Sequence, residues 1–503
     1  MQKLILLGAI DIGTTGVRFV LYDTRMALVA SAYRELPLCT PHPGWVEQDP
    51  DRLIGETRRV MAEALEKSGF HASALLAIGV TNQRESLLVW DRSSGRPFYP
   101  AIVWQDRRTA QRCEQLRRQG VAPWVLEKTG LPLDPYFSAT KMEWLLQNVP
   151  GLRSKARTGD AVFGTVDTWI LYQLTGCHLT DDTNASRTQL FDIDRRCWDD
   201  ELLSLFGVPL AALPEIHPSL SVFAPMHVSV LGCSVPIAGV LGDQQASLLG
   251  HGITSPGQAK ATWGTGAFLL TPTGRERSRS PSGLLSTLAR TAKNEPPTYA
   301  LEGSVFVAGA ALQWMKDALG CLPHAAASLE MASSVASTDG VVFVPALTGL
   351  GSPHWDPHAR GLIAGISRGT RAEHLVRAAL ESIAFQTHDV VRAMEQDMET
   401  ELCALRVGGG VSDNDFLCQF QSDVLGIPVI RPRQRETTAQ GAALAAGLSL
   451  GVWDRLDEIR SLWKDDKAFH PSLPSSDRAS LLHDWHRALE RAKGWCVPLE
   501  EPR

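Results

Sequence analysis

Two glycine–threonine segments, about half a chain apart, carry the strongest chemical signal in this sequence. Residues 9–21 read AIDIGTTGVRFVL and residues 262–270 read TWGTGAFLL. In each, a strand pattern runs into a short turn of Gly and Thr, and an apolar strand pattern leaves it. Glycine lets backbone N–H groups approach a phosphate closely, and threonine adds a hydroxyl donor. One such turn is common in hairpins for turn geometry alone. Two of them predict similar lobes that clamp one polyphosphate, a pattern typical of a nucleotide-dependent phosphotransferase.

The first turn has charged residues on both sides. Asp11 precedes the glycine, where a carboxylate could hold Mg²⁺ through water beside the phosphates. The alternative is an aspartate that caps the turn with its own side chain, and the second hairpin favours the metal. Arg18, on the departing strand, either reaches a phosphate oxygen or is a partly exposed strand arginine.

Asp243 is the candidate general base. It follows the apolar strand pattern of residues 236–242 and precedes Gln244 and Gln245. A carboxylate at such a strand end can orient a substrate hydroxyl and accept its proton. The alternative is a capping or metal-linked carboxylate, and these roles are compatible.

Arg84 and Glu85 form a charged pair after the strand pattern of residues 76–80. A vicinal diol needs an acceptor and a donor side by side, and Glu and Arg supply them. An adjacent Arg–Glu pair is usually a solvated face. The position at a strand end, where α/β proteins bind ligands, favours the diol interpretation.

The run of three glycines at 408–410 lies between a strand pattern and a helix pattern. Glycine there suits close approach of an adenosine moiety. The alternative is a flexible turn without a ligand.

Strand and helix patterns alternate along the chain, which favours α/β lobes. A helical spacing covers residues 51–67. The apolar residues 4–7 predict a first strand and not a signal peptide, since Asp11 ends the run and no cleavage site follows. We place the domain boundary near Gly250, which gives domains of residues 1–250 and 251–503.

The composition narrows the function classes. The chain has 503 residues, 44% hydrophobic and 21% charged, with a net charge of −6, so no basic field attracts nucleic acid. No apolar stretch is long enough for membrane insertion. Nine cysteines without a CxxC pair predict reduced thiols and a cytoplasmic location. The P-loop and GxGxxG motifs do not occur, and no zinc pattern does.

Several segments together resemble the FGGY carbohydrate kinase family. The resemblance runs from Asp11 to about Trp453. The segments that carry it are PGWVE (43–47), TNQRE (81–85), AIVWQ (101–105), DPYFS (134–138), GTVDTW (164–169), TNASRT (183–188), GDQQA (242–246), GLGSP (349–353) and residues 361–381.

This resemblance implies two ribonuclease-H-like lobes of the actin, hexokinase and Hsp70 type around a central cleft. The first domain (1–250) would bind a polyol and the second (251–503) the nucleotide. Within the family the motifs are most similar to the members that phosphorylate glycerol, so ATP, Mg²⁺ and glycerol are the expected ligands. Another polyol or sugar (erythritol, xylulose or gluconate) is the alternative substrate. We also expect a homo-oligomer, a dimer or a tetramer.

The resemblance also assigns roles to residues. The polyol hydroxyls would be held by Arg84, Glu85, Tyr136, Asp243 and Gln244. The carbon backbone would pack against Trp104 and Phe268. The nucleotide site would be lined by Thr14, Thr15, Gly16, Arg18, Thr265, Gly309, Gln313, Gly410 and Asn414. Mg²⁺ would lie near Asp11 and Asp243, with Asp243 as the catalytic base.

Some positions depart from the family pattern. Ile12 replaces a common Gln and is more similar to relatives that act on sugars. Gly16 replaces a common Ser, Gly408 a common Asp, and Asp415 a common Asn, which bears on nucleotide affinity. Residues 228–234 lack the elements that bind fructose bisphosphate in some relatives, so inhibition by that sugar is not expected. An actin- or Hsp70-like ATPase is the rival from another class, and the Arg84–Glu85 diol motif argues against it.

Overall fold

The first lobe is built on a six-stranded sheet of order β13-β14-β5-β1-β2-β3. The computed structural model describes residues 5–496, and Leu4 of the predicted first strand lies outside them. The strands of this lobe are β1 (Leu6–Ile12), β2 (Gly16–Asp23), β3 (Leu28–Glu35), β4 (Glu47–Gln48), β5 (Leu75–Asn82), β6 (Leu87–Asp91), β7 (Ala101–Ile102), β8 (Ala161–Thr165), β9 (Leu179–Asp181), β10 (Phe191–Asp192), β11 (Cys197–Trp198), β12 (Glu215–His217), β13 (Val222–Pro225) and β14 (Pro236–Gly242).

In this sheet β1, β2 and β3 form an antiparallel meander, and β5 and β14 continue it in parallel. The helices of the lobe are α1 (Pro50–Ser68), α2 (Ala110–Arg118), α3 (Ala122–Thr129), α4 (Ser138–Asn148), α5 (Leu152–Thr158), α6 (Val166–Thr175), α7 (Asp182–Ala185), α8 (Asp200–Phe206), α9 (Val228–Leu231) and α10 (Asp243–Gly250). A separate four-stranded sheet of order β4-β7-β6-β8 packs with several of these helices around its own apolar core.

Helix α1 shows how local sequence sets an element. Asp49 caps it by accepting from the amides of Asp51 and Arg52, and Pro50 occupies the first turn. Gly69 ends it in the left-handed conformation at φ 70°. Acceptor, proline and glycine at these positions are the usual helix start and stop signals, so the helix lies within one residue of the predicted 51–67 at each end.

The second lobe repeats the same topology in a seven-stranded sheet of order β17-β18-β16-β15-β21-β22-β23. Its strands are β15 (Gln258–Trp263), β16 (Ala267–Gly274), β17 (Leu285–Arg290), β18 (Thr298–Val305), β19 (Val342–Val344), β20 (Leu362–Ala364), β21 (Ala404–Gly408), β22 (Val429–Pro432) and β23 (Asp465–Phe469). Its helices are α11 (Gly309–Asp317), α12 (Ala327–Ser333), α13 (Ala372–Met398), α14 (Asp415–Leu425), α15 (Thr437–Ser449) and α16 (Ser475–Ala492).

In the second lobe β15, β16 and β18 are antiparallel, and β21 and β22 run parallel to β15. Both sheets therefore place an antiparallel three-strand unit beside two parallel strands. The two predicted hairpins are β1–β2 and β15–β16, at equivalent places in the two lobes. The prediction of two ribonuclease-H-like α/β lobes is confirmed.

Helices α10 and α15 join the lobes. Each follows the last parallel strand of its own sheet, and α15 packs against α10 and against β14, β5 and β1 of the first lobe. A Cβ atom on Gly250 would lie 1.8 Å from the carbonyl oxygen of Thr437, and one on Gly441 would lie 1.8 Å from that of Ala246. The helix backbones touch at these glycines, so no side chain fits between them.

The state of the cysteines and the presence of membrane-spanning helices can be compared with the predictions from composition. All nine cysteines are free thiols. Across residues 5–496, no helix combines the length and apolar character needed to cross a bilayer.

We expect Gly441→Ala to destabilise the protein, because its Cβ would force α10 and α15 apart. Overpacking of this kind costs ~1–3 kcal/mol, which should lower the urea midpoint of unfolding. Gly55→Ala on α1 is the matched control, since a Cβ there meets no atom within 4 Å and alanine favours the helix by ~0.5–1 kcal/mol. An unchanged midpoint for Gly441→Ala would contradict the close contact.

Candidate functional site

Three strands of the first lobe end at the same edge of the sheet. Ile12 of β1 lies opposite Asn82 of β5, and Asn82 lies opposite Gly242 of β14. Asp11 and Asp243, which flank these positions, are therefore brought to one edge, where α/β proteins place their ligands. The predicted strand-end position of Asp243 is correct.

Asp243 is fixed by its neighbours and remains accessible. Its Oδ1 accepts from the backbone N–H of Gln244 at 2.7 Å, and its Oδ2 accepts from the Gln244 side-chain amide at 3.1 Å. The Nε atom of Arg84 lies 3.1 Å from Oδ1. The side chain is 28% exposed, so the carboxylate is oriented and open to a ligand.

Asp11 lies near the end of β1, which β5 separates from the strand that precedes Asp243. Burial in the cleft raises the pKa of Asp11 to about 7; Arg18, its cross-strand neighbour, opposes this rise and Asp243 adds to it. A cation beside such a buried carboxyl group would stabilise its ionised form. In residues 5–496 no group of three or more His, Cys, Asp or Glu side chains is arranged to hold a metal ion. Asp11 and Asp243, the two carboxylates predicted for Mg²⁺, both lie at this edge of the sheet.

Arg84 and Glu85 belong to a buried ionic network. Arg84 donates from both terminal nitrogens to the two carboxylate oxygens of Glu302, at 2.6 and 2.7 Å. Arg187 donates to Oε1 of Glu85 at 2.6 Å and to Glu302 at 3.2 Å. Arg84 is 2% exposed and Glu85 1%, so the solvated-face interpretation of this pair is wrong.

The network is electrostatically stabilised at its centre. Although burial opposes ionisation, Arg187 and Arg84 hold the pKa of Glu302 at about 2. Burial raises the pKa of Glu85 against the influence of Arg187 and Arg84. Because Glu302 lies on β18 of the second lobe, its two partners tie the lobes together at the site.

The backbone at Glu85 is unusual. Its φ is 63°, in the left-handed region that residues other than glycine rarely adopt. Ser138 donates to the Glu85 carbonyl at 2.9 Å, and the amide of Ser86 donates to the Arg84 carbonyl at 2.7 Å. Local strain of this kind is often found at functional sites.

An aromatic wall stands beside this network. The ring of Trp104 meets that of Tyr136 at 5.5 Å and that of Phe268 at 6.0 Å, both edge to face. The indole N–H of Trp104 donates to the hydroxyl oxygen of Thr14 at 2.8 Å. Phe268 comes from the second lobe, so this wall also spans both lobes.

The second glycine turn lies in a large cavity of the second lobe, of about 980 Å³. In the turn, the amides of Gly309 and Ala308 donate to the carbonyls of Gly264 and Thr265, each at 2.9 Å. A Cβ atom on Gly309 would lie 2.6 Å from the Gly264 carbonyl oxygen. The cavity lining includes all five residues predicted for the nucleotide in this lobe: Thr265, Gly309, Gln313, Gly410 and Asn414.

The cavity floor is formed by the end of β21 and the start of α14. Asn414 caps α14 by accepting from the amide of Leu417 at 3.1 Å, and donates to the Ser328 hydroxyl at 3.2 Å. The glycine run 408–410 thus connects a strand to a short turn and helix, as predicted.

The first-lobe residues predicted for the nucleotide do not line this cavity. Thr14 and Thr15 form the tip of the first turn, where Thr14 bonds to Trp104. Gly16 packs under Tyr33, since a Cβ on Gly16 would lie 2.3 Å from that ring. Arg18 forms an ion pair with Glu436 of the second lobe.

Several buried polar residues of the site are not among the predicted ones. Glu302, Arg187 and Lys260 are buried, and Lys260 donates to Gln244 and, at 3.0 Å, to the Thr262 hydroxyl. Burial lowers the pKa of Lys260 to about 7. One feature of the sequence could have identified Lys260 and Glu302: each is the single charged residue in a mostly buried strand, β15 and β18 respectively.

Comparison with known proteins identifies the family to which the chain belongs. Models of the N-terminal and C-terminal domains of the FGGY family of carbohydrate kinases match residues 6–250 and 259–450. Glycerol kinase 2 of Thermotoga maritima is 48% identical and glycerol kinase of Haloferax volcanii 50% identical, each over 97% of this chain and 98% of the relative.

Solved structures agree. A glycerol kinase of Plasmodium falciparum, determined with ADP, has a TM-score of 0.91 at 34% identity and covers 99% of both chains. A gluconate kinase from Lactobacillus acidophilus has a TM-score of 0.87 at 24% identity, with 97% of each chain covered, and shows a shared fold.

We expect Glu302→Gln to destabilise the protein strongly, because it leaves two buried arginines without their shared counter-charge. Removing one partner of a buried ion pair costs ~3–5 kcal/mol, measured by urea unfolding. Glu201→Gln, which removes an exposed partner of Lys128, is the control and should change little. A Glu302→Gln variant as stable as the parent would show that the network contributes no stability.

Proposed function

The chain belongs to the FGGY family of carbohydrate kinases, and we propose that it transfers the γ-phosphoryl group of ATP to a terminal hydroxyl of glycerol, producing glycerol 3-phosphate and ADP. The observation that carries this proposal is the buried network in which Arg84 contacts Asp243 and Glu85 pairs with Arg187, beside the ring of Tyr136. The close relatives named glycerol kinase support glycerol as the substrate. Membership of the family makes the protein a phosphotransferase with an alcohol acceptor.

Donors and acceptors for a diol remain free within the ionic network. Glu302 takes one N–H from each terminal nitrogen of Arg84, and the Gln245 side-chain oxygen takes the second N–H of Nη1 at 3.3 Å. The second N–H of Nη2 can donate to a hydroxyl. Arg187 occupies Oε1 of Glu85, which leaves Oε2 to accept. Charge-assisted hydrogen bonds to both partners would fix neighbouring hydroxyls of a small polyol.

Asp243 would act as the general base. As the substrate oxygen attacks the γ-phosphorus, its proton passes to the Asp243 carboxylate and the bond to ADP breaks. The Gln244 contacts hold the carboxylate in one orientation, so little reorganisation is needed. Trp104 and Phe268, from different lobes, would cover the carbon backbone and keep water from the transferring group.

The residues present also fit Mg²⁺. Asp11 is a carboxyl whose raised pKa reflects burial, and Asp243 supplies a second oxygen donor; a Mg²⁺ ion uses one or two carboxylates and keeps several waters. When bound, the ion would neutralise charge on the phosphates. The relative determined with ADP supports nucleotide binding, for which the cavity of the second lobe is the proposed place.

The presence of Ile12 in place of Gln is not evidence for a sugar substrate. It is fully buried and belongs to the apolar core of the first lobe. The gluconate and xylulose kinases of known structure share the fold at about 24% identity, which does not distinguish substrates. Glycerol is therefore the proposed substrate and other polyols are outcomes of the test.

Three expectations remain predictions. The first is a homo-oligomer of two or four chains. The second is a cytoplasmic location, which the nine free thiols support. The third is that residues 1–250 bind the polyol and residues 251–503 bind the nucleotide.

ADP release measured with and without glycerol tests the function. We expect release to depend on glycerol, with erythritol, xylulose and gluconate much less effective at equal concentration. A rate that does not change on adding glycerol, or a higher rate with one of the other compounds, would overturn the proposed substrate.

We expect Asp243→Asn to lower kcat by ~10²–10⁴, because the amide cannot accept the proton. Binding of glycerol and ADP, measured by calorimetry, should be largely kept. Asp454→Asn, at an exposed carboxylate, is the control. Near-normal turnover of Asp243→Asn would remove Asp243 from the role of base.

A further inference from the structure

A second, strongly cationic cavity lies where the two lobes meet, away from the site described above. It has a volume of about 410 Å³, and its lining includes Arg25, Arg406, Arg433 and Lys464. No carboxylate is among the described residues that line it. Four cations around one cavity stand out in a chain with a net charge of −6.

These cations are available to a ligand. Among residues 5–496, no carboxylate pairs with the side chain of Arg25, Arg433 or Lys464. Arg406 donates from one terminal nitrogen to Asp465, but its Nε is buried without a hydrogen-bond partner. An anion in this cavity would be attracted by all four cations.

An adjoining cavity adds further unsatisfied donors. It has a volume of about 390 Å³ and shares Arg406 and Trp463 with the first. The indole nitrogen of Trp463 is buried without a partner, and so are both ring nitrogens of His251, which is 1% exposed. Buried polar groups are nearly always hydrogen-bonded, and a polar ligand in these cavities could supply partners to this set of groups.

The cationic cavity is remote from the proposed reaction. Arg25 lies in the turn after β2, at the opposite end of that strand from the Gly13–Thr15 turn. Eight residues of strand span ~26 Å. Arg433 and Lys464 belong to the second lobe, and close by the Gln434 amide donates to the Tyr22 hydroxyl of the first lobe at 3.2 Å.

We propose that this cavity binds a small soluble phosphate ester with two or more negative charges, and that the bound anion links the two lobes. Guanidinium groups and an ammonium group are the side chains that best recognise phosphate oxygens. The volume suits a small molecule. Because Arg25 is on one lobe and Arg433 and Lys464 are on the other, the anion favours the arrangement of the lobes in which these three residues are close.

Calorimetry with pyrophosphate as the probe, in saturating ADP so that the nucleotide cavity is filled, tests the site. We expect the parent to bind the probe and Arg433→Gln/Lys464→Gln to bind it about tenfold more weakly for each cation removed. These residues are exposed, so the variants should fold. Arg118→Gln, at an exposed arginine on α2, is the matched control and should bind like the parent.

Arg25→Gln tests the link between the lobes. It should also weaken pyrophosphate binding about tenfold and reduce the rise in unfolding temperature that the probe gives the parent. Absence of binding by the parent, or equal affinity for the parent and the Arg433→Gln/Lys464→Gln variant, would overturn the site. Unchanged affinity of Arg25→Gln would overturn the link.

Discussion

The buried pairing of Arg84 with Glu302 is the constraint on which the proposed active site depends. Arg84 comes from the loop after β5 in the first lobe, and Glu302 from β18 in the second. Their bidentate contact, with Arg187 alongside, is stable only because neighbouring charges compensate the desolvation of each ion. The side chains proposed to bind the diol are therefore preorganised by a residue that need not touch the substrate.

The lobes are positioned around this contact by backbone packing. Helices α10 and α15 approach so closely at Gly250 and Gly441 that main-chain atoms meet, and α15 rests on the first-lobe sheet. Asp243 is the first residue of α10, so the candidate base is attached directly to the element that joins the lobes. Any change in their relative angle would move Asp243 with respect to the large cavity of the second lobe.

The parts of the site that the sequence predicts are local, and the parts it misses are not. The glycine turns and Asp243 follow from strand ends and turn residues within a few positions of one another. Arg84 and Glu302 are separated by 218 residues, and no short pattern links them. The same reason hides the pairing of Arg18 with Glu436, which directs an arginine expected at a phosphate towards the other lobe.

The Tyr33 ring fills the space that a side chain at position 16 would need. With the Tyr33 ring where a Cβ on residue 16 would lie, the first turn can carry a side chain at this position only if residue 33 becomes smaller or rotates away. The two positions should therefore vary in concert among related chains: a hydroxyl-bearing residue at one accompanies a compact residue at the other, and a large ring at 33 accompanies glycine at 16.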